Sequence, residues 1–408
     1  MAFTELKKCL CCDSEDLKKV INLGDQPLAN NFHDNTKELP KYPLQLNVCT
    51  NCFHCQLSIA VDPALMFTDY KYVSGTTDTL KQYFKWFANY VMTENTEDMY
   101  AVLDIGCNDG SQLDEFKNHH VLLTVGVEPS TNLSDISREK GHYIENQYFN
   151  KDFKFAINNN NALFDCIIAQ NVFAHNSNPL EFLQKCEQYL NPDRGVLYIQ
   201  VSQADMIKNN EFDTIYHEHI SFFNINSMNT LIGRTKTLCL VDVIKTPIHG
   251  NSYIFVIKKK QDNWYRVDNI LKLEAASGLY DFNTYHKYAN NVFRIKNDVI
   301  DVAQIYKEDR KLIGYGAAAK GMTALNYFGL KLDYIIDDNE LKQGLYTPGG
   351  NIPIYGIDKL KQENNDPTII IPLAWNFYDE IKKRIERVRS IDSRDLYIKY
   401  FPKVEVRN

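Results

Sequence analysis

The chain has 408 residues, too many for a single hydrophobic core, so two or three domains are expected. Its 44% hydrophobic and 24% charged residues are the proportions of an ordinary globular protein. The formal net charge of −7 argues against an enzyme that acts on nucleic acid, because such enzymes usually carry a basic surface.

The chain shows no membrane or export signal in its sequence. No apolar run is long enough to span a bilayer, and the start, MAFTELKKCLCCDS, lacks the apolar core of a signal peptide. We therefore expect a cytoplasmic protein that binds neither membrane nor nucleic acid.

Six of the ten cysteines lie within the first 55 residues: Cys9, Cys11, Cys12, Cys49, Cys52 and Cys55. In a reducing compartment such clustering indicates metal binding rather than disulfides. The segments CLCC and CTNC each supply a C-x-x-C pair, and two such pairs form a tetrahedral zinc site. We assign a zinc-binding domain to residues 1–70, with a structural ion held by Cys9, Cys12, Cys49 and Cys52. Two alternatives stay open: a ligand set shifted to Cys11 or Cys55, and free cysteines in a small core.

The second segment, residues 71–260, contains a strand, a glycine-bearing turn, a helix and a second strand. The apolar run Ala101–Ile105 carries Asp104, and the turn that follows contains Gly106, Asn108 and Gly110. About twenty residues later VLLTVGVEPS predicts a buried strand that ends at Glu128. This order is typical of a nucleotide-handling α/β unit, in which the second acid accepts hydrogen bonds from a ribose diol.

The charges of the turn indicate which ligand it binds. Asp104 and Asp109 would repel the pyrophosphate of a dinucleotide but suit a ligand with a cationic amino group and no phosphate. S-adenosylmethionine is such a ligand, and the turn resembles the first motif of class I methyltransferases. The expected cofactor-binding residues are Asp104, Gly106, Asn108, Gly110, Glu128 and, after a later strand, Asn171. The alternative is a glycine turn in an unrelated α/β protein.

Further strands complete an α/β sheet and then begin a second one. LFDCIIAQNVFAH and GVLYIQV predict later strands of the first sheet, and LCLVDVI with NSYIFVIK predicts an antiparallel edge hairpin. In residues 261–408, a helical stretch near 271–309 precedes KLIGYGAAAKG, where Gly314, Gly316 and Gly321 mark a second strand–glycine–helix unit. This Rossmann-like domain either binds a phosphate-bearing ligand near Lys320 or packs without a ligand.

The segment EFDTIYHEHISFFN places Tyr216, His217, Glu218 and His219 side by side. If the segment is extended, Tyr216 and Glu218 face one side and the two histidines the other. In a loop or at a helix start all four could converge. A metal site is disfavoured because the i, i+4 histidine pair of metalloproteases is missing. A buried, hydrogen-bonded histidine cluster is the remaining alternative.

The motifs LGDQPLANNF, VCTNCFHCQL, LDIGCNDGSQL, YHEHISFF, HGNS and GYGAAAKG occur in this order along nearly the whole chain. Together they resemble the sugar C-methyltransferase family. The resemblance implies an α/β protein with a small N-terminal zinc-binding domain, a class I methyltransferase Rossmann-like core and a second, C-terminal Rossmann-like domain. Two positions depart from the family pattern: Phe53 follows the second zinc knuckle, where glycine is usual, and Asn251 stands in HGNS where a second glycine is more common.

The resemblance also implies an activity, namely methylation of a ring carbon of a nucleotide diphosphate 4-keto-6-deoxysugar, with C3 favoured over C5. It assigns His219 as the base, with Tyr216 and Glu218 as partners, and we add His175, Tyr70 and Tyr72 as further candidates for the pocket. The expected cofactors are S-adenosylmethionine and structural Zn²⁺, and a monomer is expected. The alternatives are an O- or N-methyltransferase and a zinc-bearing binding protein with an inactive methyltransferase fold.

Overall fold

The computed structural model describes residues 2–67, 73–95, 99–155, 162–202, 205–259, 266–307, 310–363, 366–389 and 394–408. Across these ranges, none of the helices combines the length and apolar character needed to cross a membrane.

The N-terminal unit is built from two small antiparallel sheets. One pairs β1 (Phe3–Glu5) with β5 (Ile59–Val61). The other contains β2 (Leu17–Gln26), β3 (Tyr42–Cys49) and β4 (Cys55–Leu57), and the short helix α1 (Ala64–Phe67) follows. The edge of this second sheet is formed by a distant strand, β11 (Ser221–Phe222), so that the order is β11-β4-β3-β2. The segment after YHEH is therefore joined to the cysteine-rich unit.

The central sheet has seven strands in the order β12-β13-β10-β9-β6-β7-β8. Their bounds are β6 (Ala101–Ile105), β7 (Leu123–Val127), β8 (Tyr143–Glu145), β9 (Cys166–Gln170), β10 (Val196–Val201), β12 (Leu238–Thr246) and β13 (Ser252–Lys259). Strands β8, β7, β6, β9 and β10 run parallel to one another, while β13 and β12 form the antiparallel edge that the sequence predicts. Its helices are α2 (Asp78–Glu94), α3 (Ser111–Asn118), α4 (Thr131–Glu139), α5 (Pro179–Tyr189), α6 (Met206–Asn209) and α7 (Ile225–Ile232).

The helical stretch predicted after the central sheet is two helices, α8 (Arg266–Ala276) and α9 (Phe282–Tyr306). The break falls at Gly278, whose φ of 83° lies in the left-handed region, and Asp281 then caps α9 by accepting a hydrogen bond from the Asn283 amide. A single long helix is therefore excluded by these two local stop and start signals.

The C-terminal sheet has six strands in the order β16-β15-β14-β17-β18-β19. The bounds are β14 (Lys311–Tyr315), β15 (Tyr334–Ile336), β16 (Ile354–Tyr355), β17 (Thr368–Pro372), β18 (Leu396–Lys399) and β19 (Glu405–Arg407), with helices α10 (Ala319–Phe328), α11 (Asp358–Lys361) and α12 (Tyr378–Glu386). Gly314 lies inside β14, so only Gly316 occupies the predicted turn, where its φ is 89°.

The hydrophobic cores are shared between these units. One core joins the zinc-ligand cysteines to one face of the central sheet and to α7. Another joins the N-terminal β2 and β3 to α9 and to one face of the C-terminal sheet. Because apolar contacts tie each unit to its neighbours, all three units can contribute side chains to one cavity between them.

Candidate active site

A cavity of about 2100 Å³ opens where the three units meet. It lies at the carboxyl ends of the central strands, the usual place for ligands in an open α/β sheet. The central sheet contributes Asp104 and Glu128, the segment before β11 contributes His219, and the C-terminal unit contributes Lys320 and Trp375. The four predicted catalytic residues and all the predicted cofactor-binding residues except Gly110 therefore line one chamber.

The turn after β6 has the geometry that the sequence predicts for a ligand-cradling loop. Gly106 has a φ of 71°, and its amide donates a hydrogen bond of 2.7 Å to the Val127 carbonyl. A Cβ at Gly106 would lie 3.1 Å from the Val172 side chain, and one at Gly110, where φ is 75°, would lie 2.4 Å from Ser137 Oγ. Glycine at these positions allows the backbone to stay close to the cavity.

Glu128 and the turn hold each other in place. The Glu128 carboxylate accepts hydrogen bonds from the Asn108 amide at 3.0 Å and the Ser130 amide at 2.9 Å. Asn108 itself has a φ of 52° and accepts a hydrogen bond from the Ser74 amide. Burial raises the pKa of both Asp104 and Glu128, and their mutual repulsion adds to the shift at Asp104. The neighbouring carboxyl groups of Asp104 and Glu128 favour a ligand with a cationic group and hydroxyl donors.

Asn171 carries a buried polar atom that is ready for a ligand. Its Nδ2 donates to Gln200 Oε1 at 3.3 Å, whereas its buried Oδ1 has no hydrogen-bond partner among the described residues. A buried acceptor without a donor is costly unless a ligand satisfies it. The ammonium of S-adenosylmethionine would supply such a donor, so Asn171 and the two acids fit the cofactor.

The YHEH segment is a loop of turns rather than a strand, and its side chains divide between two environments. Tyr216, Glu218 and His219 line the cavity. His217 is directed into the N-terminal unit, where its Nε2 lies 3.2 Å from the Tyr42 carbonyl and its ring packs edge-on against Tyr42. Burial lowers the pKa of His217 to about 4. Three groups of the tetrad are therefore available to a ligand, and His217 is a buried structural residue.

The contacts of His219 fix its orientation. Its Nδ1 lies 2.9 Å from the Thr214 carbonyl, which can only accept a hydrogen bond, so we assign the ring proton to Nδ1. The Nε2 atom lies 3.0 Å from the Tyr216 hydroxyl and in this tautomer is the acceptor. The imidazole thus directs its basic nitrogen towards Tyr216 at the cavity wall.

His175 lies next to His219, although the two are far apart in sequence. The Ile220 amide donates to the Ala174 carbonyl at 2.9 Å, which brings the ring of His175 to 5.2 Å from that of His219. The other face of His175 stacks on Phe67 at 5.6 Å. Burial lowers the pKa of His175 to about 4, and its buried Nε2 has no hydrogen-bond partner among the described residues. A neutral imidazole with one unsatisfied nitrogen therefore borders the cavity.

The four predicted zinc ligands lie together, with all four sulfur atoms within 4.8 Å of one another. Cys9 Sγ is 3.5 Å from Cys52 Sγ, and Cys12 Sγ is 3.6 Å from Cys49 Sγ. Sulfurs bound to one zinc at 2.3 Å in a tetrahedron would be ~3.8 Å apart. The donor set and its spacing therefore fit a closed, structural Zn²⁺ site.

Some cavity residues were not singled out in the sequence. Asn30 donates to Glu218 Oε1 at 2.6 Å. Trp375, three residues after the carboxyl end of β17, donates from Nε1 to Asp213 at 2.8 Å. The position of Trp375 after a parallel strand was an available signal, whereas nothing local marked Asn30 as a partner of Glu218. The predicted pocket residues Tyr70 and Tyr72 lie outside the described residues, as does the side chain of His249.

Comparison with known proteins extends over most of the chain. Family models match in three consecutive parts: "Putative zinc binding domain" at residues 9–67, "Methyltransferase domain" at residues 78–235 and "C-methyltransferase C-terminal domain" at residues 247–399. The C-methyltransferase NovU of Streptomyces niveus is 28% identical over 388 residues, which are 92% of this chain and 91% of that protein.

Solved structures with lower similarity match the chain in part. The plantazolicin methyltransferase BpumL in complex with SAH is 14% identical, with a TM-score of 0.36 over 45% of this chain and 87% of its own. An S-adenosylmethionine-dependent methyltransferase from Clostridium acetobutylicum is 11% identical, with a TM-score of 0.36 over 46% and 94%. The ordered family matches and the full-length relative are the decisive similarities. The chain is a methyltransferase, and these similarities support the sugar C-methyltransferase family.

Proposed function

We propose that this enzyme methylates a ring carbon next to the ketone of a nucleotide-linked 4-keto-6-deoxysugar, with C3 the favoured carbon. The observation that supports this most directly is the opening of Tyr216, Glu218 and His219 into the same cavity as Asp104 and Glu128. An oxygen or nitrogen acceptor already has a lone pair. A carbon next to a ketone has none until a base removes its proton, so carbon methylation requires a proton-transfer group such as those in this cavity.

The chemistry requires a base and a hydrogen-bond donor. A carbon beside a ketone can lose a proton because the remaining charge moves to the carbonyl oxygen as an enolate. In the proposed reaction the C–H bond breaks, its proton passes to His219 Nε2, and the enolate carbon forms a bond to the methyl group. General base catalysis contributes ~10²–10⁴-fold to such a step. When bound, S-adenosylmethionine supplies the electrophilic methyl group on a sulfonium that leaves as a neutral thioether.

The neighbours of His219 suit this role. The Thr214 carbonyl keeps the proton on Nδ1, so Nε2 is the free base when substrate displaces the Tyr216 hydroxyl. The displaced hydroxyl can then donate to the developing enolate oxygen. The Glu218 carboxylate lines the same cavity and stabilises the imidazolium that forms.

His175 is proposed as a second donor. Because its pKa is lowered to about 4, the ring is neutral at the pH of the cytoplasm and can donate from one nitrogen. One oxyanion donor contributes ~10²–10³-fold in enzymes that stabilise comparable charge. The cofactor would be held by Asp104, Glu128 and Asn171 around the turn at Gly106 and Gly110, with Asn108 fixing the turn.

The nucleotide end of the substrate is proposed to lie against the C-terminal unit. Lys320 is in the first turn of α10, lines the cavity and lies 5.5 Å from the Trp375 ring. A helix start with a lysine favours phosphate groups, and the adjacent ring offers a surface for a base or sugar. The proposed division of labour is zinc binding by residues 1–70, cofactor binding by 71–260 and nucleotide-sugar binding by 261–408. Reduced thiolate ligands are consistent with a cytoplasmic protein.

The test is a deuterium-exchange assay in D₂O. Purified enzyme is incubated with a panel of nucleotide 4-keto-6-deoxysugars, with and without S-adenosylmethionine, and followed by mass spectrometry and NMR. We expect exchange at the carbon next to the ketone and, with cofactor, one added methyl on that carbon. His219→Ala should lower the exchange rate by ~10²–10⁴-fold. His286→Ala, an exposed histidine on α9, is the matched control.

Each alternative predicts a different product. A methyl found on oxygen or nitrogen, with no exchange, would replace the proposal with a heteroatom methyltransferase. Full exchange in the His219→Ala variant would leave carbon methylation intact but remove His219 as the base.

A further inference from the structure

The loop that carries Tyr216, Glu218 and His219 is attached to the N-terminal unit through its backbone. Strand β11 pairs antiparallel with β4, with Ser221 opposite Gln56 and Phe222 opposite Cys55. The Leu57 amide also donates to the Ile220 carbonyl at 2.9 Å. This pairing fixes the position of the carboxyl end of the loop relative to the N-terminal unit.

Side chains reinforce this pairing close to the zinc knuckle. Asn224 Nδ2 donates to the Phe53 carbonyl at 2.7 Å, and Asn226 Nδ2 donates to the Cys52 carbonyl at 2.9 Å. The N-terminal unit therefore holds the loop directly at its carboxyl end, within a few residues of His219.

At the cavity, one side chain of the N-terminal unit reaches the loop directly. Asn30 lines the cavity, and its Nδ2 donates a hydrogen bond of 2.6 Å to Glu218 Oε1. Glu218 is only 3% exposed, and a carboxylate buried to this extent needs donors to remain ionised and in one orientation. A short hydrogen bond to a carboxylate is among the stronger neutral-to-charged contacts in proteins.

We propose that Asn30 is a positioning residue that acts on the reaction through Glu218. The inference rests on the proposed role of the loop in deprotonation. Asn30 fixes which Glu218 oxygen faces the cavity that His219 also lines. The N-terminal unit thereby sets the catalytic geometry as well as carrying the zinc site.

The first test is a double-mutant cycle in the exchange assay without S-adenosylmethionine. Asn30→Ala should lower the exchange rate by about 10- to 100-fold, the range expected for a hydrogen bond to a charged group. In the Glu218→Gln background the same substitution should have little further effect, because the two residues act as one unit. Asn22→Ala is the matched control, since the Asn22 side chain accepts from the Gly24 amide at an exposed irregularity within β2.

The second test uses Asn30→Asp and the pH dependence of the exchange rate. Above the pKa of the new carboxyl, two carboxylates would face each other and repel, whereas at lower pH the protonated Asp can donate to Glu218. The ratio of the Asn30→Asp rate to the wild-type rate should therefore rise as the pH falls. A purely structural role for Asn30 would leave this ratio unchanged with pH. Asn30→Ser is made in parallel, in case the alanine variant does not fold.

The outcomes separate two kinds of failure. If Glu218→Gln exchanges at the wild-type rate, the proposed function of the loop is wrong. If Glu218→Gln is impaired but the Asn30 effect is fully additive or absent, and the Asn30→Asp ratio is flat, the loop retains its function and Asn30 does not act through Glu218. S-adenosylmethionine affinity, measured by calorimetry, should be unchanged in every Asn30 variant.

Discussion

His217 and His219 are separated by one residue, yet their surroundings give them different chemistry. His217 is 2% exposed and faces a backbone carbonyl and an aromatic ring, so burial keeps it neutral. His219 has a carbonyl on one side and a tyrosine hydroxyl at the cavity on the other. The chemistry of each histidine therefore depends on the groups that its ring nitrogens contact, and not on the residue type.

A substitution of Glu128 is the most direct test of the proposed cofactor site. The Glu128→Gln substitution removes the charge that accepts two amide hydrogen bonds and faces the proposed ribose site. We expect S-adenosylmethionine to bind about 10- to 100-fold more weakly, as for loss of a hydrogen bond to a charged group. Isothermal titration calorimetry measures this directly. If the variant bound S-adenosylmethionine as tightly as the wild type, the ribose would not bind at Glu128.

A pH-dependent stability effect is expected from Glu211. Burial is the main cause that raises the pKa of this carboxyl to about 7, well above its value in an unfolded chain. The folded state therefore retains a proton that the unfolded state has lost. The stability linked to this proton is fully present below about pH 4 and disappears as the pH rises to about 7.

The Glu211→Gln variant isolates this contribution. Between pH 5 and pH 8, the wild type should lose about 2 kcal/mol of unfolding free energy relative to the variant. Urea denaturation at the two pH values measures the difference. Glu380→Gln, on the exposed side of α12, should change both values equally. A wild type that gains stability over the Glu211→Gln variant as the pH rises would contradict the assigned direction.

At the level of elements, the two departures from the family pattern have a common backbone explanation. Phe53 has a φ of 58° and Asn251 a φ of 91°, both in the region that favours glycine. Each side chain offsets the strain with contacts: the Phe53 ring stacks on Tyr280 at 5.7 Å, and Asn251 Nδ2 donates to Asp205 at 2.9 Å. The glycine usual in the family meets the same conformational need without these contacts.

The Phe53→Gly substitution tests this balance. Relief of the left-handed strain gains ~1–2 kcal/mol. Loss of the stacked and half-buried ring costs ~2–4 kcal/mol from area and aromatic pairing together. We therefore expect a net loss of about 1–2 kcal/mol, measured as the unfolding free energy in urea. A more stable glycine variant would show that strain dominates at the knuckle.

The backbone conformation of the segment Tyr216 to His219 is also a feature of this scale. The polar run Tyr216 to His219 has no periodicity that separates a strand from a loop, and the sequence left both open. The structure shows turns over these residues, followed by a two-residue strand, Ser221–Phe222. Three of the four groups reach one cavity because turns, unlike a strand, do not force alternate residues apart.

For the whole molecule, we expect the zinc site to stabilise the central sheet as well as the N-terminal unit. Its cysteines belong to the same core as the central sheet, and the adjacent strand β4 pairs with β11, which follows the loop of Tyr216 to His219. Removing the ion with a chelator, or the Cys52→Ala substitution, should lower the unfolding temperature by roughly 10 °C or more, because structural zinc sites contribute several kcal/mol to folding. It should also slow deuterium exchange at the substrate.

Elemental analysis and thermal unfolding check this expectation. One zinc per chain should be found in the wild type and none after Cys52→Ala. The Cys239→Ala variant, a cysteine of β12 outside the cluster, should retain both the metal and the unfolding temperature. A Cys52→Ala protein with the wild-type melting curve would show that zinc does not contribute to the stability of the fold.

The sequence by itself determined the features whose spacing is local. Two C-x-x-C pairs predicted four thiols that do come together, and the run from Asp104 to Glu128 predicted a strand, a turn, a helix and a strand that are present. Such features depend on backbone sterics and on residues a few positions apart. They can therefore be read without knowledge of the tertiary fold.

Only the tertiary structure decided which polar groups share a cavity. The Asn30 contact with Glu218, the proximity of His175 to His219 and the pairing of β11 with β4 join residues that are far apart in the chain. No local pattern specifies these pairs, because long-range pairing follows from how the hydrophobic cores shared between the units pack together. The residues proposed to react are thus visible in the sequence, whereas their arrangement is a property of the assembled fold.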